Sequence, residues 1–422
     1  MRMQLRGGTL IDGTGAPPLP NAAVLIEDGR VRAVGAVGSF SVPPGTTEID
    51  VTGKTITPGL IDAHDHLVHT NRDLNEHATR PLSLTMMRVA DNLRVTLEAG
   101  ITTVRDAAGL DLGFKLAVEQ GLIAGPRLVI TLSILSRTGG IDDPRTRSGV
   151  DLSWRNLPGL PSPVCDGVEE CRKRVREVLH AGADVVKCAS TGGVSSQTLT
   201  ATVQTLTLAE LQTIVEEARY MDKRTMCHAY GGPGLQAAVD AGINTIEHGA
   251  YLCRMPETLK KMAAQGTYLV PTFRVLALHR EQGSPWAKRK AQELYEDHIR
   301  TVQMAMDVGI PVVMGTDAGA YGHGHNAVEL QHLVEAGMSP MQSIVASTKT
   351  AAECLGLAGE IGTLESGKYA DLLVMDGDPL ADISIFDQQE RLAMVMKGGI
   401  AYVDRISNSA AIKNESRARA VT

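Results

Sequence analysis

Ala181-Gly182-Ala183-Asp184-Val185-Val186-Lys187 carries the formula that decides the fold: a small residue, a glycine, then a β-branched run closed by a polar side chain. The formula returns as Ala99-Gly100-Ile101-Thr102-Thr103-Val104 and Ala124-Gly125-Pro126-Arg127-Leu128-Val129-Ile130. It recurs as Ala241-Gly242-Ile243-Asn244-Thr245-Ile246 and Val308-Gly309-Ile310-Pro311-Val312-Val313. Glycine directly after a helix adopts the left-handed conformation at little cost and ends the helix there. The apolar run that follows reads as a buried parallel strand. Helical patterns fill the intervals, for example over 83–99, 167–181, 207–221 and 288–308. With the opening strand, 224–229 and 267–272, eight strand candidates alternate with helices. Such alternation predicts an α/β chain with a (β/α)8 TIM barrel. A doubly wound open sheet competes, but no glycine-rich dinucleotide fingerprint follows the first strand.

The two ends read differently. Up to about Thr57 the chain offers short strands between turns, as in Gly8–Gly13 and Ala23–Gly29, and similar strands recur in Ala370–Met375 and Ala393–Gly399. Residues 1–57 and 364–422 are therefore expected to pair into one small β-sandwich beside a barrel of residues 58–363, with a polar, frayed tail after about Ile406. The longest unpatterned stretch, about 135–166, follows the third strand and reads either as a lid or as a surface excursion.

In such a barrel, chemistry belongs to the C-terminal ends of the strands. His64 and His66 close strand one (Pro58-Gly59-Leu60-Ile61-Asp62-Ala63-His64-Asp65-His66), and alternation turns both to one face. Lys187 closes strand four, His228 strand five, His248 strand six and Asp317 strand eight. Each has an ordinary reading. A strand-end histidine can be a hydrogen-bonded core residue, Lys187 can snorkel to solvent, and Asp317 can cap a helix. Six such groups on five apolar strands are harder to explain singly, because buried charge is costly unless it is paired or binds metal.

Composition narrows the class. In 422 residues, 43% are hydrophobic and 21% charged, and the net charge is −7. That mildly acidic balance, without a basic block, argues against nucleic acid as a partner. No segment approaches the roughly 20 apolar residues of a membrane span. Six scattered cysteines without a C-x-x-C pair, Cys188 and Cys227 among them, read as small packed hydrophobes. The expected setting is the cytoplasm, and the expected assembly is a homo-oligomer.

Taken together, the Pro-Gly-Leu-Ile-Asp-Ala-His-x-His opening, the strand-end Lys187, His228, His248 and Gly315-Thr316-Asp317 resemble the amidohydrolase superfamily over the whole chain. Gly367-Lys368-Tyr369-Ala370-Asp371-Leu372 is similar to the C-terminal β-sandwich signature of that family. The resemblance implies two divalent metal ions, usually zinc. His64, His66 and Asp317 would hold the more buried one and His228 and His248 the other. Lys187, carboxylated by CO2, would bridge them, since an ammonium cannot bind a cation whereas a carbamate offers two oxygens. The implied reaction is C–N hydrolysis by a hydroxide shared between the ions, with Asp317 moving the proton to the leaving nitrogen.

His228-Ala229-Tyr230 further resembles the subgroup of Xaa-Pro dipeptidases (prolidases) and carboxypeptidase-like enzymes related to imidazolonepropionase, which includes amidases of the ochratoxin type. There the tyrosine matching Tyr230 would help hold the reacting carbonyl oxygen. The implied substrate is a small molecule with an amide and a carboxylate. Arg72, Arg137 and Arg274, just beyond strands one, three and seven, are candidates to hold that carboxylate through the guanidinium fork. His323 and His325, after strand eight, are expected to touch substrate. The subgroup's Thr-Gly-Gly loop often continues with histidine, whereas Ile141-Asp142 follow Gly140 here. Two other readings stand beside this one: a one-metal cyclic amidine hydrolase or deaminase, which needs no bridging lysine, and a non-enzymatic scaffold, which would lose ligands.

Overall fold

Most of the fold is strands that are apolar on both faces, joined by helices that are apolar on one. The computed structural model describes residues 2–69, 76, 79–151 and 160–406, and the chain is mixed α/β. The N-terminal strands are β1 (Arg2–Leu10), β2 (Leu19–Glu27), β3 (Arg30–Ala36), β4 (Thr47–Asp50) and β5 (Thr55–Pro58). Then come β6 (Leu60–Asp65), β7 (Ile101–Asp106), β8 (Arg127–Ile130), β9 (Ile134–Leu135), β10 (Val185–Ala189), β11 (Arg224–Ala229), β12 (Thr245–His248) and β13 (Tyr268–Val270). The last strands are β14 (Leu372–Met375), β15 (Leu392–Lys397) and β16 (Ile400–Asp404). Both chain ends build one eight-stranded sheet in the order β16-β15-β14-β5-β1-β2-β3, with β4 beside β1. Its apolar side chains, from Met3 and Leu5 to Met394 and Met396, form a core cluster of their own.

The intervening strands are all parallel and fall into β6-β7-β8 and β13-β12-β11-β10-β9. The predicted third strand is split between the two sheets. Leu132, at φ 67, breaks it, so β8 pairs with β7 while β9 pairs with β10. Asp184 N–H also donates to Ile130 O at 2.8 Å, tying the start of β10 to β8. At the far edges the predicted eighth strand forms no continuous ladder. Its backbone nevertheless bonds both neighbours: Val313 N–H to Leu269 O at 2.9 Å, and Ala63 N–H to Met314 O at 3.0 Å. Gly315 permits this close passage, because a Cβ there would lie 2.4 Å from Val270 Cγ1 and 3.0 Å from His64 Cβ.

The helices lie within a residue or a few of their expected limits, at Leu82–Glu98, Val168–His180, Leu208–Tyr220 and Pro285–Asp307. Val168–His180 buries Cys171, Val175 and Val178, one stripe of a 3.6-residue period, each apolar side chain stabilising by roughly 1.5–3 kcal/mol. Thr207 and Glu210 close a capping box at the start of Leu208–Tyr220. Gly100, Gly182, Gly242 and Gly309 have the positive φ expected after helices. Gly125 does not. The helix before it, Leu112–Glu119, ends near the left-handed Gly121, and Gly125 instead admits Leu93, whose Cβ would lie 3.0 Å from an added Cβ. All six cysteines are free, Cys188 and Cys227 buried. Among the described residues no helix is long and apolar enough to cross a membrane. The expected tail after Ile406 lies outside the described residues, as does Arg72.

Candidate metal centre

The ladder register brings the strand-end groups together. Ala189 on β10 pairs with His228 on β11, and Ala229 pairs with His248 on β12. The ligand atoms of His64, His66 and Asp317 lie within 4.8 Å of one another and can hold a metal ion. Asp317 Oδ1 stands 3.3 Å from His66 Nε2 and 3.6 Å from His64 Nε2. Lys187 Nζ is 3.1 Å from His64 Nε2, and His248 Nε2 is 2.8 Å from His228 Nδ1. His248 (φ 71) and Asp317 (φ 54) sit in the left-handed region, as does Thr272 (φ 57). Such strain costs of order 1–3 kcal/mol per residue and concentrates at functional sites.

The tautomers follow from what each ring's other nitrogen meets. His64 Nδ1 donates to Glu247 Oε2 at 2.7 Å. His66 Nδ1 donates to Ala108 O at 3.3 Å, and His228 Nε2 to Gly192 O at 3.1 Å. His248 Nδ1 donates to Thr272 Oγ1 at 2.7 Å, that hydroxyl being itself spent on Pro271 O at 2.6 Å. Each ring thus turns an unprotonated nitrogen inward. His228 and His248 aim lone pairs at each other, an arrangement that repels unless a cation stands by. The donor set therefore fits a divalent metal.

Electrostatics agree. Burial holds His64 and His248 well below the ordinary imidazole range and His228 down to about 4, so all three are neutral bases at pH 7. Burial also lowers the Lys187 ammonium, against the pull of Asp317 and Glu247. Burial alone would raise Asp317, but the His66 hydrogen bond and the nearby His64, His66 and Lys187 together hold it below the carboxylate range.

The other sequence candidates are placed as follows. Tyr230 is buried, its ring stacked on His248 with centroids 4.7 Å apart. Arg274 is half-buried just past β13, while Arg137 is exposed and donates to Thr138 O. The side chain of His323 is buried, donating through Nε2 to His69 O at 2.8 Å, with Nδ1 3.4 Å from Asp65. His325 is exposed and pairs with Asp387. Ile141 packs against Ala108, Ile134 and Ala189, so the start of the 135–166 stretch folds over the strand ends, and the charge of buried Asp142 acts on Lys187.

Sequence reasoning passed over Glu247, Arg105 and Thr272. A signal existed: Arg105 in Thr103-Val104-Arg105-Asp106 and Glu247 in Thr245-Ile246-Glu247-His248 are charges inside apolar strands, and such charges need partners.

Inward lone pairs, an amine and a carboxylate at the ends of parallel strands define a class, the hydrolytic enzymes that use metal to act on small molecules. The chain belongs to the amidohydrolase family, whose profile matches residues 55–401. It is 31% identical over 416 residues to ochratoxinase from Aspergillus niger, covering 93% of this chain and 85% of the relative. A solved amidohydrolase is 35% identical, with a TM-score of 0.89, over 96% of this chain and 100% of that one. A prolidase solved in complex with N-methylphosphonate-L-proline is 30% identical, with a TM-score of 0.86, over 95% of this chain and 99% of that one.

Proposed function

We propose that the chain is a (β/α)8 hydrolase with a β-sandwich of residues 1–57 and 364–422, and that it uses two zinc ions to cleave the amide bond of dipeptides or N-acyl amino acids. Xaa-Pro dipeptides and ochratoxin-type amides are the leading substrates. His64, His66 and Asp317 hold one ion, His228 and His248 the other, and a carboxylated Lys187 bridges them. The observation that carries this reading is the set of four imidazoles, each with one nitrogen committed outward and its lone pair turned inward. The backbone bonds that join the two parallel sheets at both edges support the barrel.

When bound, the ions supply Lewis acidity that polarises the amide carbonyl and acidifies a water. The protein's own groups do the rest. Burial favours the neutral amine of Lys187, whose lone pair forms an N–C bond to CO2 and whose proton leaves, giving the carbamate. Asp317, ionised at neutral pH, accepts the water's proton and returns it to the leaving nitrogen. The Tyr230 hydroxyl steadies the carbonyl oxygen as it gains charge. Of the candidates Arg137 and Arg274, Arg274 is the better placed to hold a substrate carboxylate, being half-buried beyond β13 where Arg137 is exposed. The likeness to a prolidase and to ochratoxinase supports an amide beside a carboxylate.

The test is a hydrolysis screen of zinc-loaded protein on Xaa-Pro dipeptides, N-acyl amino acids and ochratoxin A, with a cyclic amidine as contrast. Cleavage of a carboxylate-bearing amide is expected. Turnover of the cyclic amidine alone would overturn the proposal.

A further inference from the structure

Behind His64 lies a charged network that the reaction does not use directly. Glu247 is fully buried on β12, and Arg105, almost as deeply buried, reaches it from β7 in the other parallel sheet. Glu247 Oε2 faces His64 Nδ1 at 2.7 Å. Its other oxygen, Oε1, accepts from Arg105 Nη2 at 3.0 Å and from Thr245 Oγ1 at 2.5 Å. Arg105 Nε donates to Ala63 O at 2.6 Å, on the residue before His64, and Nη1 donates to Thr245 Oγ1 at 3.2 Å. The carboxylate thus has a fixed orientation and a compensating charge, with one oxygen left for the imidazole.

The geometry points to Glu247 as a positioning residue, held by Arg105 and Thr245, that fixes His64 as the Nδ1–H tautomer and presents its Nε2 to a metal ion. The assignment rests on the reading of His64 as a ligand. A carboxylate behind a histidine raises the basicity of the coordinating nitrogen and locks the ring's orientation. The donors are consistent throughout: the guanidinium gives only protons, the threonine hydroxyl accepts from Arg105 and gives to Glu247, and the carboxylate accepts from all three. A merely structural ion pair would not require that one carboxylate oxygen face a ring nitrogen whose partner atom lies 3.1 Å from Lys187 Nζ. Arg105 has a second consequence: it ties Ala63 on β6 to Glu247 on β12, and so couples the strands that carry His64 and His248.

The test measures zinc affinity by competition with a chelator, alongside thermal unfolding, in wild type and variants. Glu247→Gln keeps the shape and one acceptor oxygen but loses the charge, and zinc binding is expected to weaken roughly 10–100-fold. Because that variant leaves Arg105 uncompensated, the double variant Arg105→Met/Glu247→Gln removes both charges together. It is expected to fold and to show the same loss of affinity. A folded variant of either kind that binds zinc within about twofold of wild type overturns the assignment. Independently of any variant, nitrogen-15 spectra of the histidines in metal-free wild type are expected to show His64 protonated at Nδ1, and an Nε2–H tautomer overturns it. Wild type that binds no zinc at all would instead overturn the ligand reading beneath it.

Discussion

The two halves of the cluster are backed by different chemistry. In the half with Asp317, His64 leans on a carboxylate paired with a guanidinium and His66 on a carbonyl, whereas His228 and His248 lean only on a carbonyl and a hydroxyl. A carboxylate strengthens a ligand and fixes it, while neutral acceptors fix the tautomer and add little charge. The contrast suits one tightly held ion and one that exchanges more readily with water and substrate. Tyr230 belongs to the second half, stacked on His248, which is where a reacting carbonyl would need to be met.

That contrast can be broken most severely at Lys187, whose amine lies beside His64 and whose charge acts on His228 and His248. Lys187→Ala is expected to lower zinc content from two ions per chain to one. Its turnover is expected to fall further than the roughly 10²–10³-fold cost of losing a single transition-state donor. Metal analysis and steady-state rates on a cleaved amide check this, and retention of two tightly held ions would refute the bridge. Tyr230→Phe touches only the half that holds His228 and His248. It is expected to cost roughly 10²–10³-fold in kcat with zinc content unchanged.

Acid probes the backing without mutation. Between about pH 6.5 and about pH 4 the unfolded chain takes up a proton on His228 that the folded, metal-free chain refuses. The His228 contribution to stability is therefore complete above about pH 6.5 and is lost as pH drops toward 4, with His64 and His248 acting in the same direction and the buried carboxyls of Asp62, Asp106 and Glu329, raised by burial, acting against it. Thermal unfolding of chelator-treated wild type and His228→Gln across that window isolates the sign: the variant is expected to lose less stability on acidification than wild type. The smallest effect is expected from Thr272→Val, which removes a neutral acceptor from His248. Zinc affinity should drop roughly tenfold, toward the lower end of the loss expected at Glu247.

Much of this was legible in the sequence, for physical reasons. Glycine after a helix and an apolar run after the glycine are local signals, so the parallel strands and main helices emerge within a few residues of their observed limits. The convergence of His64, His66, Lys187, His228, His248 and Asp317 is geometric only in three dimensions, yet it was foreseeable because each sits where a strand ends. What escaped was set by contacts between distant segments. Nothing local in Ile130-Thr131-Leu132-Ser133-Ile134 announces that Leu132 will break the strand and divide it between two sheets. Val312–Asp317 reads as an ordinary strand, but it runs against β6 and β13 through scattered bonds because Gly315 brings it so close to His64. His323 looks like a loop residue, and its burial against His69 and Asp65 depends on how a distant turn packs.

The handover at Gly59 sets a clock on biosynthesis. Its amide donates to Asp371 O, and Pro58, just ahead of it, pairs with Leu372 on β14. The strand that carries His64 thus has its upstream anchor in a segment translated about 300 residues later. A chain emerging at about 5–20 residues per second holds His64 and His66 for many seconds before Asp317 and then β14 arrive. During that interval the two histidines are present without the sheet that seats them, so any metal loading at this pair is expected to follow the arrival of β14 rather than accompany synthesis of the first strands.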